Sequence, residues 1–334
     1  MNLVSGASGI IGSHVALKLL LSNRPVIACY GPSKKNENTR RLFEYYGKGD
    51  LFKQIKWVEV DLNDVFSLDH VLQEIENVFH CAGFVSFSKK DREKLYHVNE
   101  KGTENMVHAC LKSGVNLCHV SSVATINNND YKGDLTEEVF WKKSGKESDY
   151  AISKYNSERE VWRGIEEGLN AVIVNPGLVL SPGFWDQSSS KLFPAVYQGL
   201  KYYTNGKAGY VSAGDVADAM IQLMDRRKFA NRYILVEGNY TYKEIFERIS
   251  KCFNRNPPQK EASPGLLKLA YYLNRFISLF SGKDPRISKS MLSSAFNKQN
   301  YSSRKIIDEL NFRFTPIQGE IERIASIYLQ ERAQ

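Results

Sequence analysis

Three glycines spaced three apart, Gly6, Gly9 and Gly12, stand at the start of the chain in the string VSGASGIIGSH, residues 4–14. A short apolar run leads into them and a segment with helical apolar spacing follows. This context predicts a strand, a tight turn and a helix. Glycines in such a turn allow a sharp bend, close approach of backbone to a pyrophosphate, and tight packing of helix on strand. The helix start adds unpaired N–H groups and a positive dipole end. Gly6, Ser8, Gly9, Ile10, Ile11 and Gly12 are therefore the candidate dinucleotide-binding residues of the turn. A plain strand-to-helix connection is the competing reading.

The first half of the chain continues in the same rhythm. Strand-like apolar runs fall at NLVS, PVIACY, KWVEV, NVFHC, NLCHVSS and AVIVN, with helix-period segments at 10–22, 66–75, 91–112 and 149–167. Alternation of this kind predicts an α/β fold, a Rossmann-type doubly wound parallel sheet covered on both faces. The rhythm loosens after NPG at 175–177. GDVADAMIQLMD at 214–225 reads as a helix and YILVE at 233–237 as a strand. TYKE at 241–244 has capping-box spacing, with Thr241 as N-cap and Glu244 at the third helical position. The expected organisation is a dinucleotide-binding domain over 1–177, joined again by 211–237. A smaller, mostly helical substrate lobe takes 178–210 and 238–334.

With 334 residues the chain can bury a substantial core. Its formal charge of +8 is modest for that length and gives no reason to expect a nucleic-acid partner. The five cysteines are dispersed without CxxC spacing, which suits free thiols in a reducing compartment. No metal-ligand spacing appears. The glycine motif begins within six residues of the start, so no signal peptide is expected. No apolar run reaches the ~18 residues that span a bilayer. The expected location is the cytoplasm, without stable membrane insertion.

Recognition of the adenosine ribose can be sought at the end of the second strand. An NAD-preferring site places an acid there. The sequence has YGPSKK instead, with Lys34 and Lys35 followed by Arg40 and Arg41. Cations suit a 2′-phosphate, so NADP is preferred over NAD, although surface charge explains the same residues.

DYAISK at 149–154 puts Tyr150 and Lys154 four apart at a predicted helix start, on one helical face. A phenol is a poor base near neutrality, and a neighbouring ammonium lowers its pKa. The pair can pass a proton to or from a substrate oxygen. HVSSVAT at 119–125 ends a strand with Ser121 and Ser122, where ligands bind in an open parallel sheet. HVNEKGT at 97–103 supplies Asn99 nearby.

Taken in order, GASGIIG, DLND at 61–64, HCAG at 80–83, HVNEKGT, HVSSVAT, YAISK, NPG and SAGDVADAM at 212–220 resemble the extended short-chain dehydrogenase/reductases of the NAD-dependent epimerase/dehydratase superfamily. The tail GKDPRISKSM…YSSRKIIDELNF resembles the dihydroflavonol-reductase and 3β-hydroxysteroid-dehydrogenase-like branch. The resemblance covers most of the chain. It implies Tyr150 as general acid/base, Lys154 as its pKa-lowering partner and nicotinamide-ribose ligand, and Ser122, 28 residues before Tyr150, as the group polarising the reacting oxygen. Asn99 would support a bound water or the catalytic helix. Asp61 and Leu62 would flank the adenine, Ala82 and Gly83 would line the cofactor path, and Pro176 and Gly177 would border nicotinamide and substrate. It also allows a homodimer through helices 91–112 and 149–167. Val123–Ala124 stands where nucleotide-sugar 4,6-dehydratases carry an Asp–Glu pair, which argues against elimination.

The expected activity is hydride transfer between a nicotinamide cofactor and a carbonyl or alcohol carbon of a small-molecule substrate. Phe184, Trp185, Phe193, Tyr197, Tyr202, Tyr203, Tyr210 and the apolar 266–280 make that substrate hydrophobic, unless they are the lobe's own core. The alternatives are a nucleotide-sugar epimerase with retained NAD, its diphosphate held by Arg226, Arg227, Arg232 or Arg304, and a non-catalytic dinucleotide sensor.

Overall fold

A computed structural model describes residues 1–31, 36–126, 131–145, 147–268, 271 and 295–333. Among these, seven strands form one parallel sheet. They are β1 (Asn2–Ser5), β2 (Val26–Tyr30), β3 (Lys56–Glu59), β4 (Asn77–His80), β5 (Asn116–Val120), β6 (Ala171–Pro176) and, later in the chain, β10 (Asn231–Leu235). Their order is β10-β6-β5-β4-β1-β2-β3. The chain runs outward from β1 to β3, then returns to β4 on β1's other side. The direction of winding therefore reverses between β1 and β4, in register Asn2↔Asn77 to Ser5↔His80. That reversal opens a crevice at the strands' carboxyl ends.

Both faces of the sheet are covered, which is why its strands read as unbroken apolar runs. Val4, Ala28, Val172 and Val174 pack under helices Ile10–Leu21 and Ala213–Asp225, with Val15, Leu19, Val216 and Met220. Leu3, Val78, Leu117 and Ile173 face the other way, against Met106, Val107 and Val161 of helices Gly102–Ser113 and Asp149–Glu166. The edge strand β10 is shielded by side chains. Glu137 Oε1 accepts from Ile234 N at 2.8 Å, and Ser303 Oγ accepts from Val236 N at 2.7 Å. An exposed ladder of unpaired backbone groups is thereby avoided.

After β6 the chain builds a second, small sheet from β7 (Leu178–Leu180), β9 (Lys207–Ser212) and β11 (Gly238–Thr241), in order β11-β9-β7. β8 (Tyr202–Tyr203) pairs separately with β12 (Lys260–Glu261). Helix Tyr242–Cys252 starts with the expected capping box, Thr241 and Glu244 bonding reciprocally. Its buried residues join Phe193, Tyr210, Ile317, Ile321 and Tyr328 in a separate apolar cluster. Ile306, Leu310 and Phe312, which the sequence suggested for the substrate lobe, pack instead into the cluster under the main sheet.

The expected helix over 91–112 is interrupted. A π-helical turn, Tyr96–Lys101, separates a short helix, Arg92–Leu95, from Gly102–Ser113. Among the described residues, no helix is long and apolar enough to cross a membrane, and no cluster of His, Cys, Asp and Glu could hold a metal. All five cysteines are free.

Three histidines are fully buried: His14 on the first helix, His80 on β4 and His119 on β5. Burial lowers His14 and His80 to about 3, and His119 well below its ordinary value. They stay neutral in the fold at pH 5, but protonate near ~6.5 once unfolded. Unfolding therefore takes up protons, and stability is lost as pH falls below about 6.5. Three such groups give a slope of up to about 4 kcal/mol per pH unit. Urea midpoints measured from neutral pH downward should show it. His119→Leu, which removes two unpartnered ring nitrogens, should flatten the slope by about one proton. An unchanged slope would contradict the assignment.

Candidate active site

The glycine turn lies where β1 ends at the crevice. Gly6 holds φ +66°, a conformation that disfavours any residue with a Cβ. A Cβ on Gly6 would lie 2.7 Å from the Ala82 backbone, and one on Gly12 2.5 Å from the Gly6 carbonyl oxygen. The turn is thus wedged between its own helix and the end of β4. Gly9 donates its N–H to Gly6 O at 2.9 Å. It caps the helix without a side-chain bond, and no acid stands in the first helical turn. Ser8 Oγ is buried with no hydrogen-bond partner among the described residues. Ile10 and Ile11, half-buried, open the helix. A backbone cradle, a helix N-terminus and an orphaned hydroxyl fit a diphosphate. Thr39, not anticipated, ties helix Glu37–Tyr45 to this turn by donating to Ala7 O at 3.0 Å.

Where the sequence leads us to expect the adenosine ribose, β2 finishes on Tyr30, with no carboxylate. Lys34 and Lys35 lie outside the described residues. Arg40 pairs with Glu37 and Glu44, and Arg41 with Glu37, so both are engaged along their own helix. The Asp61 carboxylate accepts from Asn63 N at 2.9 Å, fixing the turn after β3. Leu62 presents its carbonyl to Asn105 Nδ2 at 2.9 Å, and its side chain would be 3.2 Å from a Cβ on Gly102. Pro176 ends β6. A Cβ on the next residue, Gly177, would lie 2.4 Å from Gly209 O.

A chain of hydrogen bonds runs from β1 into the site, and counting protons fixes its direction. Thr103 Oγ1 has one proton and donates it to Asn99 O at 2.6 Å. It must therefore accept from His80 Nε2 at 3.1 Å. His80 Nδ1 is then bare and accepts from Ser5 Oγ at 2.7 Å, and Ser5 Oγ accepts from Ala82 N at 3.3 Å. Every proton is placed if His80 is the neutral Nε2–H tautomer. Asn99, 1 % exposed, sits in the π-turn, a feature frequent at functional sites. Its Oδ1 accepts from Phe84 N at 2.7 Å, and its Nδ2 donates to Phe84 O at 2.9 Å and to Ser153 Oγ at 3.0 Å. It clamps the loop after Gly83 to the helix carrying Tyr150.

That helix is capped by Ser148 Oγ, which accepts from Ala151 N at 3.0 Å, leaving Tyr150 in its first turn. The phenol is raised in pKa by burial, while a hydrogen bond with Ser122 draws it down. The positive end of the helix dipole favours the phenolate as well. Ser122 has extended backbone and accepts from Ala124 N at 3.1 Å, capping the turn Val123–Thr125. One turn on from Tyr150, Lys154 is buried and donates to Val120 O at 2.6 Å. Burial lowers its pKa to about 8, against the carboxylate of Glu158, which raises it. Phe87 meets the Tyr150 ring edge-on at 5.8 Å and is 43 % exposed. It is a site-facing residue that no sequence motif marked.

Other candidates go elsewhere. Phe184, Phe193 and Tyr210 are fully buried, and Trp185, Tyr197 and Tyr203 pack on the lobe's apolar cluster. Only 266–268 and 271 of the apolar 266–280 fall within the described residues. Gly12→Ala should weaken NADPH binding at least about tenfold, measured by fluorescence titration of folded protein. Wild-type affinity would show that the turn does not face the diphosphate.

The comparisons with known proteins follow this geometry. The profile of the NAD dependent epimerase/dehydratase family matches residues 2–236. A putative dihydroflavonol 4-reductase of Synechocystis is 28 % identical over 320 residues, covering 92 % of this chain and 88 % of that protein. Tetraketide alpha-pyrone reductase 2 of Arabidopsis thaliana is 28 % identical over 282 residues, covering 78 % and 85 %. The structure of a nucleoside-diphosphate-sugar epimerase from Pseudomonas aeruginosa superposes with a TM-score of 0.77 at 19 % identity, covering 99 % of this chain and 97 % of that one. The glycine turn on β1, the crevice at the sheet's reversal and these matches agree: the chain belongs to the NAD dependent epimerase/dehydratase family of extended, NAD(P)-dependent short-chain dehydrogenase/reductases.

Proposed function

We propose that this NAD(P)-dependent oxidoreductase reduces an apolar ketone or aldehyde, or oxidises the matching alcohol, with Tyr150 as general acid/base. The observation that carries the reading is the convergence of three side chains at the carboxyl end of β5: Ser122 on the turn that follows the strand, Tyr150 in the first turn of its helix, where Ser122 draws its pKa down, and Lys154, bonded to Val120 O at 2.6 Å. Gly6, Ser8, Gly9 and Gly12 would hold the diphosphate of the cofactor. Asp61 and Leu62 would flank its adenine, Ala82 and Gly83 would line its path, and Pro176 and Gly177 would border the nicotinamide. When bound, the cofactor supplies or takes the hydride.

The chain's own residues handle the oxygen. Ser122 donates a hydrogen bond to the substrate carbonyl and polarises it. Tyr150 gives its phenolic proton to that oxygen as it gains charge, and the phenolate left behind regains a proton from solvent. The helix dipole and a charged Lys154 stabilise that phenolate. Lys154 binds the nicotinamide ribose, and Asn99 positions the catalytic helix. NADPH is the preferred cofactor, since β2 ends on Tyr30 without an acid to hold a free 2′-hydroxyl.

Phe87, half-exposed and edge-on to the Tyr150 ring, gives the substrate an apolar wall beside the phenol. The epimerase alternative has less support. Arg232 is committed to Glu158 and Arg304 to Asp308. Arg226 and Arg227 precede β10, at the edge of the sheet opposite the crevice.

Tyr150→Phe should bind NADPH as the wild type does and lose turnover by about 100-fold or more. Retained turnover of 1-phenyl-1,2-propanedione, an activated aryl ketone, would overturn the mechanism. Phe87→Ala should raise KM for that ketone about fivefold with little change in kcat. An unchanged KM would place the substrate elsewhere.

A further inference from the structure

Two turns along the same helix face from Tyr150, Glu158 is almost wholly buried, its side chain 4 % exposed. A lone carboxylate at that depth would be strongly disfavoured. Four groups from three segments of the chain converge on it. Ser121 Oγ donates to Oε2 at 2.6 Å, Thr125 Oγ1 at 2.9 Å and Asn175 Nδ2 at 2.9 Å, while Arg232 Nη1 reaches Oε1 at 3.1 Å. Ser121 and Thr125 bracket Ser122 in the chain.

Proton counting decides what each donor does. The Thr125 hydroxyl lies 2.9 Å from both Ser122 O and Glu158 Oε2, and has one proton. The charged oxygen is the stronger acceptor. Ser122 O is still served by Thr125 N at 3.0 Å, while the two protons of Asn175 Nδ2 are shared among Glu158 Oε2 at 2.9 Å, Thr125 Oγ1 at 3.0 Å and Ser122 O at 3.2 Å. The carboxylate is thus the post to which both sides of the Ser122 turn are tied.

We infer that Glu158 is a positioning residue for the transfer centre: its carboxylate ties the turn carrying Ser122 to the helix carrying Tyr150 and Lys154. This rests on the role proposed above for Tyr150. Without the tie, the Ser122 hydroxyl can drift relative to the phenol, and an error of about 1 Å in such a pair can cost on the order of 100-fold in rate. The same charge also faces Lys154. The titratable and charged groups around Lys154 are Glu158, Cys81, His80, His119 and, one turn back on its own helix, Tyr150, a phenol that burial keeps neutral near pH 7. Both histidines are neutral near pH 7 and Cys81 is a thiol raised by burial, so Glu158 is the anion among them. Removing its charge makes the ammonium easier to deprotonate, so activity that needs charged Lys154 is lost at lower pH.

The test compares wild type, Glu158→Gln, Thr125→Val and Tyr150→Phe with NADPH and 1-phenyl-1,2-propanedione from about pH 6 to 10. In parallel, 13C-dimethyl-lysine spectra follow Lys154, its resonance assigned by loss in Lys154→Arg. Glu158→Gln should lower kcat at least about tenfold. It should also move the alkaline limb, and the Lys154 midpoint, down by about one pH unit. Thr125→Val leaves the carboxylate three partners. It should lower kcat about threefold with the limb unmoved, and it carries the test if Glu158→Gln does not fold. Wild-type kcat in either variant overturns the proposal. So does a loss in Glu158→Gln with limb and resonance unmoved, since that would make Glu158 mere packing. Turnover surviving in Tyr150→Phe would instead sink the mechanism on which the inference stands, whereas dead Tyr150→Phe beside unimpaired Glu158→Gln sinks the inference alone.

Discussion

The backbone at Gly6 and the backbone at Ala82 approach so closely that a single Cβ would not fit between them. Much of the site's geometry depends on that contact. It joins the ends of β1 and β4, the two strands between which the sheet changes its direction of winding. The crevice is therefore floored by backbone rather than by side chains, and backbone N–H groups can face an anion there. The Ser5–His80–Thr103–Asn99 chain starts from the same two strand ends. It carries their register to the loop at Phe84 and the helix of Tyr150. A substitution at the turn should disturb chemistry that lies several residues and two strands away.

Sequence patterning reached the main sheet because strands buried on both faces must be apolar throughout and the crossover helices must be amphipathic. NLVS coincides with β1, and the helix expected over 149–167 spans Asp149–Glu166. The smaller sheet escaped because β7 is three residues long and β11 only four, too short to show a period. The broken helix near Asn99 escaped because a π-turn keeps helical composition while changing the winding. The aromatic run after residue 184 supported two readings. Phe193, Tyr197, Phe253 and Tyr328 pack ring against ring in the lobe's interior, and composition alone could not separate that from a ligand pocket.

Spacing marked Tyr150 and Lys154 as candidates, and the structure sets both on one helix, Asp149–Glu166. Spacing says nothing of side chains whose surroundings come from distant parts of the chain. Glu158 looks like any acid on a helix until Ser121, Thr125, Asn175 and Arg232 are brought around it. His80 looks like a strand residue until its two nitrogens are matched to a donor and an acceptor. Phe87 lies in a loop with no periodicity, and only its contact with the Tyr150 ring marks it. Each of these polar groups would be costly in the interior alone. Paired, they fix one arrangement of helix, loop and strand ends.

The most direct measurement of the central claim is a crystal structure of the protein with NADPH. The account predicts the diphosphate on the turn Gly6–Gly12 with Ser8 Oγ bonded to it, and the nicotinamide beside the Ser122 and Tyr150 hydroxyls. A cofactor bound away from that turn, or a nicotinamide remote from Tyr150, would contradict it.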